Sequence, residues 1–147
     1  MVESRPHGGP SRFEVVPKVD THFAWLRTRM ALERTMMAWI RTGVALIGFG
    51  FTIFQFIERF NATPGVARAA RPHAPQVLGL ALIGTGIIAL VLAVNSYRAF
   101  TRYLWSEEYE PVAGVAGAPK PTPILGVTLV LILAGVFAFL AVLLRFP

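Results

Sequence analysis

Three long stretches of this chain carry almost no charge, and that feature decides the solvent in which it folds. Residues 36–57 hold Arg41 as their one charge, while residues 76–97 and 124–144 hold none. A helix needs about 20 mainly apolar residues to cross roughly 30 Å of hydrocarbon, and each stretch meets that length. None shows the period-two alternation of a barrel strand. The expected fold class is therefore all-α, an integral membrane protein with three transmembrane helices. Composition agrees, with 54% hydrophobic and 15% charged residues, against roughly a quarter charged in soluble domains.

Residues 1–20 read as a mobile polar tail, with Pro6, Pro10, Pro17 and Gly8-Gly9 and without the apolar segment of a signal peptide. Residues 21–147 read as a single three-helix membrane domain. Asp20 or Thr21 is the expected N-cap of an amphipathic interfacial helix over residues 23–35, with Phe23, Leu26 and Met30 on its apolar side. Trp25 adds an anchor at the membrane surface. No breaker separates this stretch from the first span, so it either runs straight on or lies on the membrane and bends near Thr35. Residues 58–75 read as a polar loop broken by Pro64-Gly65, Pro72 and Pro75. Residues 97–109 keep helical spacing beyond the second span, and residues 111–123 form a Pro, Gly and Ala linker. Gly79, Gly84 and Gly86 in the second span, and Ala134 and Ala138 in the third, suit close helix packing. No internal repeat is convincing enough to use. Ten of the 14 basic residues fall on the N-terminal side of this topology; Arg59, Arg68, Arg71 and Arg145 lie opposite. The positive-inside bias then places the N-terminus in the cytoplasm and the C-terminus outside.

The arginines of the first helix are spaced with a regularity that hydropathy does not show. Arg27, Arg34 and Arg41 are seven residues apart, and Gly48 and Gln55 continue the series. A step of seven drifts only about 20° around a helix, so these positions share one face. Ala38, Ala45 and Thr52 fill the same strip, with Met37 and Val44 on its margin. Trp39, Ile40, Leu46, Ile47, Phe51, Ile53 and Phe54 occupy the other faces. One reading is packing, in which small residues admit a neighbouring helix and Arg41, about 7–8 Å inside the span, snorkels to the headgroups. The other is a hydrated lining, because intramembrane ionisable residues tend to face a bundle interior or a water-filled path. Glu33, beside Arg34, is expected to pair with an arginine of the same or a neighbouring helix, with Arg29, Arg34 and Arg41 in reach, the alternative being an exposed interfacial carboxylate. Arg27 and Arg29 suit contact with anionic lipid headgroups.

The run Glu33-Arg34-Thr35, then Ala38-Trp39-Ile40-Arg41-Thr42, then Leu46-Ile47-Gly48-Phe49-Gly50 resembles the YidH-like family of small bacterial inner-membrane proteins, the domain of unknown function numbered 202. That resemblance is dense over residues 31–50 and implies a bacterial inner (plasma) membrane location. The family is similar to the membrane domain of the fungal vacuolar transporter chaperone complex, where such three-helix units assemble around a basic, polyphosphate-conducting channel. By that likeness Arg34 and Arg41 are a basic lining, Glu33 a pairing partner, and five copies a suggested assembly. This chain has no soluble polymerase domain, so a polyphosphate substrate is not implied.

No catalytic signature is present. His7, His22 and His73 lack the spacing of a metal site, and cysteine is absent. Glu107, Glu108 and Glu110 form an acidic patch without a base or nucleophile nearby. There is no phosphate-loop or dinucleotide motif, so neither an enzyme nor a cofactor is expected. The formal charge of +6 is explained by orientation and lipid headgroups without nucleic acid. The leading functional expectation is a homo-oligomeric membrane assembly, a channel for anions lined by Arg34, Arg41, Ala45, Gly48, Thr52 and Gln55. The alternative is a small scaffold or regulatory subunit that binds other membrane proteins or anionic lipids. A transporter is disfavoured, because there is neither an inverted repeat nor a pair of broken helices.

Overall fold

The computed structural model describes residues 16–61, 74–107, 109–113 and 123–144. Three helices are long and apolar enough to cross a membrane, and the described residues contain no strand. The first, α1, is Val19–Asn61, and its 43 residues make a rod of about 64 Å. The second, α2, is Ala74–Leu104, succeeded by the one-turn helix α3, Glu110–Ala113, and by α4, Pro123–Leu143. At 21 residues α4 is about 31 Å long, close to one hydrocarbon thickness.

Residues 23–35 do not form a separate interfacial helix. They are the first turns of α1, which continues through Thr35 and into the span because nothing in the sequence breaks it. The cap also differs from the expectation. The helix begins before Asp20, and the Thr21 hydroxyl reaches back to accept the Lys18 N–H at 2.8 Å, half of a capping box. Asp20 lies in the first turn, where a carboxylate complements the helix dipole. At the other end α1 runs past Ile57 to Asn61, so the loop expected from residue 58 starts later. Most of that loop, most of the linker over residues 111–123, and the tail up to residue 15 lie outside the described residues.

Helices α1 and α2 are antiparallel and meet along glycine. A Cβ built at Gly50 falls 2.7 Å from the Gly79 carbonyl oxygen, and one at Gly79 falls 2.9 Å from that of Gly50. One built at Gly86 falls 2.7 Å from the Gly43 carbonyl oxygen. In each helix the two glycines are seven residues apart, so they share one face and bring backbone against backbone. The fourth helix lies beside this pair. Gly135 on α4 is buried and receives Ile47 and Ile87, while Gly84 faces Phe139. The expected Ala134/Ala138 contact is displaced by this arrangement, since Ala134 is exposed and Gly135 takes the buried position.

Two apolar groups fix the ends of the bundle within the bilayer. Met36, Ala93 and Tyr97 are buried together with Ile124 and Leu125 packed on them. Phe54, Ile83 and Val142 form the other group, flanked by Ile47, Leu80 and Phe139. Around them the outward face is apolar too, with Phe49, Phe56, Ile88, Leu133 and Phe137 exposed. That inside-out pattern suits hydrocarbon, where only backbone and other polar groups need internal partners. The threonines meet that need locally. Thr128, fully buried, donates to the Ile124 carbonyl at 2.7 Å, and Thr85 to the Ala81 carbonyl at 2.7 Å.

Candidate functional site

The glycine seam fixes which face of α1 is left uncovered. Gly43, Gly50, Met36 and Phe54 are buried against α2. At about 100° per residue, the row of Arg34, Arg41, Gly48 and Thr52 lies about 150° around the helix from that seam. All four of those residues are exposed, as are Arg27 and Ala45, and Gln55 is half-buried. A Cβ added at Gly48 would meet nothing within 4 Å. The small residues of this row therefore do not serve packing within the chain.

The level of the row in the membrane can be read from α4. Ile124, in its first turn, packs on the Met36, Ala93 and Tyr97 group and marks the hydrocarbon edge on the N-terminal side. Taken from Met36, Arg34 sits about 3 Å outside that edge and Arg41 about 7–8 Å inside it. Ile124 also borders an open groove of about 510 Å³ along α1, lined by Met30, Glu33, Arg34, Met37, Ala38 and Arg41. Arg41 borders a second hollow of about 410 Å³ with Thr42, Ala45, Leu46 and Phe49.

Charge is only partly compensated here. Glu33 Oε1 lies 3.8 Å from Arg29 Nε, one turn back, with both side chains somewhat over one third exposed. Such a pair contributes little to stability, since water screens it. Arg29 also sits with its guanidinium carbon 5.9 Å from the centre of the Trp25 ring. Among the described residues, Arg34 and Arg41 have no carboxylate within ion-pair distance. Two exposed guanidiniums about 10 Å apart along the axis, set among small side chains, can donate to a passing or bound anion.

Thr28, Thr35 and Thr42, which neither hydropathy nor charge singles out, form a second row beside the arginines. Their hydroxyls donate to the carbonyls of Ala24, Ala31 and Ala38 at 3.0, 3.0 and 3.1 Å. Thr52 does the same to Gly48 at 2.8 Å. These bonds place a hydroxyl oxygen on the exposed face while tying its proton to the helix. The sequence does carry a signal for them, as an Arg-Thr pair every seven residues over three turns of the series.

Outside the membrane, α1 carries a small core of its own. Trp25 is 5% exposed and packs with Val112, Ala113, Leu104 and Trp105. Its indole N–H donates to the Leu104 carbonyl at 3.1 Å, and its ring meets that of Trp105 edge-on at 5.4 Å. His22 Nδ1 lies 2.8 Å from the Val112 carbonyl oxygen, with its ring stacked on Trp25. Trp25 is therefore a buried residue and not a membrane-surface anchor, because α3 folds back over it. The apolar side expected for residues 23–35 is divided: Leu26 packs on this cluster, while Phe23 and Met30 are exposed. His22 is held within the fold; His7 and His73 lie outside the described residues, as does Glu108. Glu107 and Glu110 are exposed.

A family model described as a domain of unknown function, DUF202, matches residues 27–108, more than half of the chain. No curated protein and no solved structure matches.

Proposed function

The chain belongs to the DUF202, or YidH-like, family, whose description carries no activity, and from the geometry we propose a homo-oligomeric channel of the bacterial inner membrane. Its N-terminus is cytoplasmic and its C-terminus outside, and anions move along a path lined by Arg34, Arg41, Ala45, Gly48, Thr52 and Gln55. The observation that supports this reading is the position of that row, on the one face of α1 that neither α2 nor α4 covers. A guanidinium turned to lipid at the bilayer centre costs about 3 kcal/mol on insertion scales, less near the edge. A water-filled lumen removes that cost and gives the neighbouring threonines and glycine a role. Three helices of one protomer enclose no lumen, so several copies are required.

The test is flux in proteoliposomes. Arg41→Ala is expected to lower anion flux and weaken anion-over-cation selectivity, with the oligomer mass unchanged by native mass spectrometry. Unchanged flux and selectivity would remove Arg41 from the lining.

A second reading draws on the exposed Arg27 and on the Trp25 core that projects from the membrane. It makes the protein a scaffold or regulatory subunit held to anionic lipids or to other membrane proteins. Pure protein then conducts nothing, and Arg27→Ala lowers the amount of anionic lipid that co-purifies with the protein in mild detergent more than Arg41→Ala does. Strong flux from pure protein counts against it.

A further inference from the structure

Along the continuous helix, α1 does contain an internal repeat. Residues 23–50 are four heptads in one register: a bulky apolar residue, alanine, two variable positions, then Arg-Thr in the first three heptads and Gly-Phe in the fourth, then a closing position. The closing residues Met36, Gly43 and Gly50 are buried, with the two glycines forming the α2 seam. The variable positions pack inward through Trp25, Leu26, Ile40 and Ile47, while the bulky and alanine rows face out. Phe23, Met30, Met37 and Val44 are 53%, 58%, 51% and 40% exposed. Ala24, Ala31, Ala38 and Ala45 are exposed as well. Hydropathy hides the repeat because its bulky and small rows, both apolar within the span, flank a charged one.

Within the bilayer an exposed apolar row needs no explanation. Beyond it, one does. Phe23 lies 13 residues before Met36, about 20 Å past the hydrocarbon edge and beyond a headgroup layer of roughly 5–8 Å. There water surrounds it, and an apolar row continuing at heptad spacing marks a surface that is covered in the working protein.

We infer that this face of α1 is a head-to-tail seam for further copies of the chain, the bulky row of one copy packing into the alanine row of the next, parallel and in register. The inference rests on the multi-copy reading above and names the contact that closes the ring. Bulky and small rows on the two edges of one face are what knobs and holes require, and a strict period of seven sets a left-handed coil. The contact is heterologous, so it closes only for a ring. The two rows are adjacent in sequence, about 100° apart around α1, and a closed ring needs contact directions about 90° apart for four copies and about 108° for five. The geometry thus selects four or five. The arginine row lies between the two edges and points at the ring axis. A two-fold dimer through the same face would instead set arginine rows against each other.

The chain has no cysteine, so disulfide trapping in membranes starts from a clean background. Met30 and Ala31 lie at nearly the same height and outside the hydrocarbon, yet point too far apart for a bridge within one helix. Full-length protein carrying both Met30→Cys and Ala31→Cys, mildly oxidised, is expected to give a ladder ending at four or five copies. Each single variant gives no bridged product, and a mixture of the two single variants gives dimers only. Phe23→Cys with Ala24→Cys, one heptad earlier, repeats the ladder, and circular dichroism verifies the fold of each variant. Dimers from the single variants, or no ladder from either double variant, overturn the seam. A ladder from protein that conducts nothing removes the conducting path and keeps the seam; flux without a ladder does the reverse.

Discussion

Gly50→Ala and Gly48→Ala differ by two positions and are expected to act in opposite directions. A methyl at Gly50 would stand 2.7 Å from the Gly79 carbonyl oxygen and 3.0 Å from both Ile83 Cγ1 and Leu82 Cβ. Ordinary contact for such atoms begins near 3.4 Å, and the closest neighbour is backbone, which cannot rotate aside. The two helices must therefore separate by about 0.7 Å along a close-packed seam to restore ordinary contact. Overpacking of this kind costs about 1–3 kcal/mol. Gly86→Ala meets the Gly43 carbonyl oxygen at 2.7 Å and Ile47 Cγ1 at 2.8 Å, so it is expected to cost as much again. The two sites are seven residues apart on the seam, about 10 Å, and both act by separating the same two helices, so the double variant is expected to lose less than the simple sum of about 2–6 kcal/mol. At Gly48 the added methyl meets nothing within 4 Å, and alanine gains up to about 1 kcal/mol of helix preference. The assay is reversible unfolding in mixed micelles, monitored by far-ultraviolet circular dichroism at dilutions where the protein is monomeric. Gly50→Ala is expected to unfold at lower denaturing-detergent fraction than the parent, and Gly48→Ala at the same fraction or higher. Equal midpoints for the two variants would refute the assignment of the seam.

Trp25→Ala removes a buried ring and the bond to the Leu104 carbonyl, a loss of about 3 kcal/mol. Because the cluster lies outside the spans, hydrogen exchange should rise around residues 104–113 while exchange within residues 36–57 stays unchanged. Glu33→Gln breaks a screened pair at 3.8 Å and is expected to move the unfolding midpoint by no more than about 0.5 kcal/mol. A larger loss would mean that Glu33 holds a buried partner. Thr128→Val keeps the volume of a fully buried side chain and removes its bond to the Ile124 carbonyl. That oxygen has its place in the helix ladder, so the unfolding midpoint should change by less than about 1 kcal/mol.

The three spans are legible in the sequence because hydrocarbon imposes a simple criterion, about 20 residues without charge. The same criterion truncates the helices. It stops at the charges of residues 27–34 and at Glu58, whereas helical hydrogen bonding continues until a breaker ends it, so α1 is twice the length of its apolar part. The arginine face is readable for the opposite reason: a period of seven survives any error in the helix ends. The α2 seam is half readable. Gly79 and Gly86 stand out in an apolar span, but their partners Gly43 and Gly50 become meaningful only with the antiparallel register that sets Gly50 opposite Gly79. Trp25 cannot be placed from sequence because its burial depends on α3, four residues beginning Glu110-Pro111 that carry no helical period of their own.

The unbroken course of α1 has a mechanical consequence. With backbone contacts at Gly43/Gly86 and Gly50/Gly79, the helix is a lever resting on a fulcrum inside the bilayer. Trp25 lies 18 residues from Gly43, an arm of about 27 Å, so a tilt of about 5° displaces it by about 2.4 Å. Arg41, two residues from the pivot, scarcely translates under that tilt, but Arg34 moves by about 1 Å. Once the bond from Trp25 to the Leu104 carbonyl of α2 gives way, a swing of the tryptophan head is geared down at the arginine row and moves Arg34 farther than Arg41.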